Sequence, residues 1–244
     1  MSIPQIERAE NWQPSQKILV ILAHPDDPEF FCGASLARWA RAGHKVHYLL
    51  LTCGDKGGGP EVEPQELCAL RQAEQRKAAT VIGVTSVQFL QHEDGYLVPS
   101  IDLRCEIVRA IRREKPDILL TCDPSLLYTP FGTLNHPDHR AAGQVVLDAV
   151  FPAAGNAHYF PQLIRAEGLQ PHTPREVWVS LAVNPTHHLD VTDTWEIKLA
   201  ALMEHQSQIG DPQKLEQRLR SRHTEDSTDE QPRYEERFRV IKYG

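Results

Sequence analysis

Two short stretches of the chain carry residue types that can hydrolyse a bond. One is Ala23-His24-Pro25-Asp26-Asp27-Pro28-Glu29, the other Asn135-His136-Pro137-Asp138-His139-Arg140. Imidazole and carboxylate are the ligands of hydrolytic zinc, which usually takes three protein groups and keeps a position for water. In the first stretch two prolines stiffen the turn and lower the entropy lost in fixing the side chains between them. Adjacent Asp side chains point in different directions, so Asp27 can ligate a metal while Asp26 faces the bound water. In the second stretch His136 and His139 are three apart, which sets them on one face at a helix start. Each stretch alone has a blander reading: an Asx-type turn capping a helix for the first, and an Asn135 N-cap beside two exposed histidines for the second. Two such stretches, each at a strand-to-helix junction, point to one joint site.

The elements that must position them follow from hydrophobic periodicity. Residues 17–23 and 45–51 are continuous apolar runs of strand length, as expected for strands covered on both faces. Helical patterns follow at 29–41 and 64–82, the second closed by Gly83. A short strand at 86–90, a helix at 101–114 and an apolar strand at 118–122 continue the alternation. The loop 123–135 is long for a compact domain and so reads as functional or disordered. A helix is expected over 136–150, irregular chain over 152–174, strands at 176–183 and 188–191, and a helix at 194–209 capped by Asp193 or Thr194. This order predicts an α/β domain with a mainly parallel sheet, right-handed crossovers and helices on both faces. Ligands of such sheets bind outside the carboxyl ends of the strands, which is where both stretches fall.

At 244 residues the chain reads as one domain, with a core over about 17–209 and a polar arm over about 211–244, of which 238–243 returns to pack. With 41% hydrophobic and 24% charged residues it is neither disordered nor coiled coil. Lys plus Arg number 26 against 33 Asp plus Glu, a net charge of −7, which excludes a nucleic-acid binder relying on overall basicity. The absence of a signal pattern and of a long apolar run predicts a soluble, cytoplasmic protein with no membrane span. The five cysteines are widely spaced without a C-x-x-C pair and read as buried free thiols.

The two stretches also resemble the signatures of the PIG-L/LmbE family of metal-dependent de-N-acetylases. The first, with the following F-F-C-G-A-S-L-A-R-W-A-R-A-G-H-K-V, is similar to the N-terminal signature, and H-P-D-H at 136–139 to the second one. Weaker similarities are T-C-G-D-K-G at 52–57, Arg71 in R-x-x-E, E-D-G-Y-L at 93–97 and H-Q-S-Q at 205–208. The resemblance implies a Rossmann-like single domain and a zinc ion bound by His24, Asp27 and His139, with Fe2+ or another divalent metal as the alternative. It implies Asp26 as general base, and His136 as the group that supports the oxyanion and protonates the leaving amine. The reaction implied is removal of an acetyl group from an N-acetylglucosamine-type sugar or its conjugate, a small-molecule partner. Amide hydrolysis does need an activated water and a stabilised carbonyl, a nearby carboxylate to take a proton and an imidazole to give one.

Around this centre, Asp138 is expected to hold the tautomer of His136. Arg71 is expected at an anionic or hydroxyl-rich part of the substrate, its alternative being a solvated helix arginine. Asp94 is expected at sugar hydroxyls, its alternative being a turn residue before Gly95. Lys56 and Gly57–Gly59 offer a rim, without the Walker pattern of a nucleotide site. His187, His188 and His205 read as packing histidines, and Tyr128, Phe131 and Trp195 serve either packing or sugar stacking. Competing functions are an amidase releasing a larger acyl group from a sugar-thiol conjugate, a non-catalytic sugar-binding module, and an Fe(II) oxygenase with a two-His, one-carboxylate triad. Oligomeric state, homo-oligomer included, is open.

Overall fold

The computed structural model describes residues 7, 9–10, 12–13, 15–129 and 132–243. Among them are strands β1 (Lys17–Leu22), β2 (Lys45–Thr52), β3 (Ser86–His92), β4 (Ile118–Cys122), β5 (Glu176–Ser180), β6 (His187–Asp190) and β7 (Glu235–Lys242). The helices are α1 (Asp27–Arg41), α2 (Pro64–Ile82), α3 (Ile101–Glu114), α4 (Pro137–Asp148), α5 (Pro161–Glu167), α6 (Trp195–Leu202) and α7 (Pro212–Arg220).

The strands form one sheet in the order β3-β2-β1-β4-β5-β7-β6. The first five in that order are parallel; β7 runs antiparallel to β5 and β6. Strand residues alternate between two cores because successive side chains point to opposite faces. Ile18, Val20 and Leu22 join the core under α1, α2, α6 and α7, whereas Leu19 and Ile21 join the core under α3, α4 and α5. Helix α1 therefore leaves β1 toward one face, and α4 leaves β4 toward the other. Since β1 and β4 are neighbours, their carboxyl ends bound the crevice where connections diverge, the position at which open α/β sheets bind ligands.

Most expected boundaries coincide with those observed, and the exceptions have physical causes. The segment 211–231, read as a polar arm, contains α7, whose Leu215 and Leu219 are buried in the core. Its apolar residues sit four apart on an otherwise charged sequence, so composition concealed a one-stripe helix. The expected return of 238–243 is larger than a packing contact: β7 lies inside the sheet between β5 and β6. The helix expected to reach residue 209 stops at Leu202, and its proposed cap, Thr194, donates its hydroxyl to Ala34 O instead of capping. The stretch 152–174 includes α5.

The cysteine reading needs correction. Cys53, just after β2, and Cys68 in α2 form a disulfide with Cα atoms 5.1 Å apart, leaving Cys32 and Cys122 as buried free thiols and Cys105 half-buried. Fourteen residues of loop and helix start separate them, and only the folding of α2 back onto the strand end makes them neighbours. No described helix is long and apolar enough to cross a membrane.

Strand β7 is tied to the first core by charge as well as by Phe238. Glu236 is buried, accepts from the backbone N–H groups of Ala34 and Ser35 (3.3 and 2.7 Å) and pairs with buried Lys198 at 2.6 Å. Removing one partner of such a pair strands the other charge in the interior. Glu236→Ala is expected to lower stability by about 3–5 kcal/mol in urea denaturation, and a loss below about 1 kcal/mol would contradict this account of β7.

Candidate active site

The first stretch becomes a turn because Asp26 adopts φ 84° and ψ −28°, the left-handed region. A residue with a Cβ enters that region at a cost of about 1–2 kcal/mol. The reversal lets α1 start at once, with Asp27 and Glu29 in its first turn. The second stretch starts α4 with His136, not Asn135, as the N-cap: His136 Nδ1 accepts from the Asp138 backbone N–H at 3.2 Å. Two helix N-termini, whose free N–H groups favour negative charge, thus converge on the crevice.

Three donor groups meet there. His24 Nδ1 lies 3.3 Å from His139 Nε2 and 3.5 Å from Asp27 Oδ2, and His139 Nε2 lies 3.0 Å from Asp27 Oδ1. Ligands about 2.0–2.1 Å from a tetrahedral metal stand about 3.3 Å apart, so these spacings fit one ion. Nitrogens of His24, His136 and His139 also lie within 4.8 Å of one another, as do donor atoms of His24, Asp94, His136 and Asp138. The latter set is better read as support. Asp94 Oδ1 and Asp138 Oδ2 face the other ring nitrogen, His24 Nε2, at 3.0 and 3.4 Å. Both carboxylates also take backbone N–H groups, from Lys56 for Asp94 and from Gly95 and Leu97 for Asp138. A carboxylate on the far nitrogen is the usual arrangement for orienting a ligating imidazole.

The local charges follow from this crowding. Burial disfavours a charged His24, but Asp138, Asp27 and Asp94 overcome it and raise its pKa well above the ordinary value. Burial pushes Asp27 up, yet His139 and His24 prevail and hold its carboxyl well below the usual range. Asp94 is likewise brought down to about 2, His24 overcoming burial. Asp26 goes the other way, pushed up to about 6 by burial, with Asp27 adding to the effect and Arg71 opposing it. His136 is lowered by burial and by the neighbouring His24 and His139. Four carboxylates and three imidazoles in one crevice form a donor set suited to a divalent cation.

The expected site residues all gather here except where noted. The Asp138 carboxylate does not hold His136, as expected from sequence; it faces His24, and only its backbone N–H reaches His136. Arg71 is no solvated arginine, being 4% exposed. Its Nη2 donates to Asp26 Oδ2 (3.1 Å) and Pro25 O (2.9 Å), and its Nη1 to Gly54 O (2.9 Å). Asp94 is engaged with His24 in the same interior way. Lys56 pairs with Glu93 and lies over the ring of Tyr96. His187 and His188 sit on β6 against Glu7 and Glu235, away from the crevice. Tyr128 is exposed, Trp195 is buried and stacked on Tyr234, and Phe131 lies outside the described residues.

Sequence reasoning missed three supports. Asn135 Oδ1 accepts from His139 Nδ1 at 3.0 Å, leaving Nε2 to face the cluster; the i, i+4 spacing of N-H-P-D-H was the available signal. Gln75, one turn after Arg71, binds the Asp26 backbone N–H at 2.8 Å. His205, read as packing, contacts Glu29 Oε2 at 3.2 Å behind that turn.

Residues 19–150 match the PIG-L family, described as GlcNAc-PI de-N-acetylase. The chain belongs to the PIG-L family. Diacetylchitobiose deacetylase of Thermococcus kodakarensis is 35% identical to this PIG-L chain over 204 residues, covering 82% of it and 73% of the relative. A 1D-myo-inositol 2-acetamido-2-deoxy-alpha-D-glucopyranoside deacetylase of Nocardioides sp. is 26% identical, covering 80% and 83%. Among solved structures, N,N'-diacetylchitobiose deacetylase from Pyrococcus horikoshii superimposes with a TM-score of 0.83 at 28% identity, covering 93% of this chain and 84% of that one. The hydratase GalB of Pseudomonas putida shares the fold, with a TM-score of 0.72 at 22% identity, covering 93% and 96%. Within the PIG-L fold, then, the reaction has to be argued from the site.

Asp138 offers a direct check of the site's construction. It is fully buried, and its loss leaves the backbone N–H groups of Gly95 and Leu97 without their acceptor and His24 Nε2 with Asp94 alone. Asp138→Ala is expected to cost about 2–4 kcal/mol in thermal or urea unfolding. Wild-type stability in that variant would mean the 93–97 turn is not anchored on α4.

Proposed function

We propose that this PIG-L chain is a metal-dependent hydrolase that removes the acetyl group from an N-acetylglucosamine-type sugar or its conjugate. The metal is zinc in this reading, held by His24, Asp27 and His139. The observation that carries it is the mutual spacing of those three donors beside a carboxylate, Asp26, that none of them uses. The named deacetylases among the chain's relatives support the substrate class.

When bound, zinc supplies a Lewis acid that lowers the pKa of a water toward about 7 and polarises an acyl carbonyl. Asp26 accepts the proton of the attacking water; a carboxyl raised to about 6 is a better base than an ordinary one. Arg71 fixes the Asp26 carboxylate by its bond to Oδ2. In His136, Nδ1 is taken by the Asp138 backbone N–H, so the neutral ring carries its proton on Nε2. That N–H is available to the developing oxyanion and then to the departing amine. Asp94 and Asp138 hold the His24 ring so that Nδ1 faces Asp27 and His139, with which it would hold the ion.

Incubation with N-acetylglucosamine and N,N'-diacetylchitobiose is expected to release free amine and acetate in equal amounts. Release should stop on chelation and return with added zinc. A larger acid from sugar-thiol conjugates, with no acetate from any N-acetyl sugar, would replace this reading with the amidase one. Asp26→Asn is expected to retain metal while lowering kcat about 10²–10⁴-fold; turnover near wild type would remove Asp26 from the chemistry.

A further inference from the structure

Asp26 is held in an unfavourable backbone conformation, so something must hold it. Helix α2 does so from one face: Arg71 and Gln75 are four residues apart and therefore side by side. Gln75 Oε1 accepts the Asp26 backbone N–H at 2.8 Å. With that oxygen committed, the amide nitrogen must find an acceptor, and it donates to both oxygens of Glu29 at 3.0 Å. Glu29 Oε2 in turn lies 3.2 Å from His205 Nε2. Gln75 and Glu29 are both 0% exposed and His205 is 1% exposed. A carboxylate at zero exposure is costly to maintain unless it is paired and hydrogen-bonded, and here one of its partners, Gln75, leads directly to the Asp26 turn.

We propose that Gln75, oriented by Glu29 and His205, is the positioning residue that keeps Asp26 in the left-handed conformation its carboxylate needs to reach the substrate water. Resting on the reading of Asp26 as proton acceptor, it adds the device that aims it. Without the bond from Gln75, residue 26 relaxes toward negative φ and turns the carboxylate away from the attacking water. A misplacement of about 1 Å can cost roughly 10²-fold in rate.

The test uses the full chain loaded with zinc, N,N'-diacetylchitobiose as substrate, and the variants Gln75→Met, Gln75→Glu and Glu29→Gln with its swap partner Glu29→Gln/Gln75→Glu. Gln75→Met keeps the volume and loses both hydrogen bonds; it is expected to lower kcat about 10–10²-fold with KM and zinc content unchanged. Gln75→Glu sets two buried carboxylates against each other and should fall as far. The swap keeps an acceptor toward Asp26, relieves the carboxylate clash by placing an amide donor at residue 29 toward residue 75, and should recover most of kcat. Added to Asp26→Asn, Gln75→Met should cause no further loss, because both act on one function. Crystal structures of the variants read φ at residue 26 independently of turnover: negative in Gln75→Met, positive in the swap. Wild-type kcat in Gln75→Met, a swap no better than Gln75→Glu, or a loss additive to Asp26→Asn would each overturn the proposal. If Gln75→Met does not fold, the contrast between Gln75→Glu and the swap decides. If Asp26→Asn is itself fully active, the proposed function is at fault, and the backbone angle alone judges the clamp.

Discussion

The negative charge gathered at the ends of β1 and β4 is the constraint to which the surrounding structure answers. Asp26, Asp27, Asp94 and Asp138 share one crevice, Asp26 half-buried and the others buried, and carboxylates are not brought out of water without compensation. Imidazoles answer for Asp27, Asp94 and Asp138, Arg71 for Asp26, and the backbone N–H groups of Lys56, Gly95 and Leu97 add further donors to Asp94 and Asp138. These partners come from the connections after β1, β2, β3 and β4 and from helix α2. The loops after β2 and β3 are thereby fastened to the ends of β1 and β4, so the site's charge balance also fixes its walls.

Much of this was legible in the sequence, because strand runs and Pro-bounded His/Asp turns are local signals. The parallel alternation, the two stretches at strand ends and the bounds of α2, α3 and β4 all follow from periodicity over a few residues. What escaped was non-local. Cys53 and Cys68 become neighbours only when α2 folds back, and β7 enters the sheet only because β5 has an open edge to accept it. Leu215 and Leu219 were hidden by the charge around them. In the site, the types of Asp138 and Arg71 drew notice, but their partners could not be read. Asp138 caps a turn from another connection and Arg71 points inward from a helix that is mostly polar.

The comparison with a hydratase of the same fold shows where the discrimination must lie. The shared fold does not by itself choose the chemistry. The arrangement that favours acyl hydrolysis is narrower. It has three donors facing one another, a carboxylate of raised pKa beside them, and a half-exposed imidazole whose proton is directed to the cavity side by a backbone bond.

The interior position of β7 has a consequence for the newborn chain. Strand β5 emerges during synthesis long before its neighbour, with residues 181–234 between them. At translation rates of about 5–20 residues per second, its outer edge waits roughly 3–10 s without its native partner. That edge carries Val177, Trp178 and Val179, an apolar and β-prone run of the kind that recruits strands from other molecules. The order of synthesis thus exposes this edge to misassembly through an interval that the stability of the finished sheet does not govern.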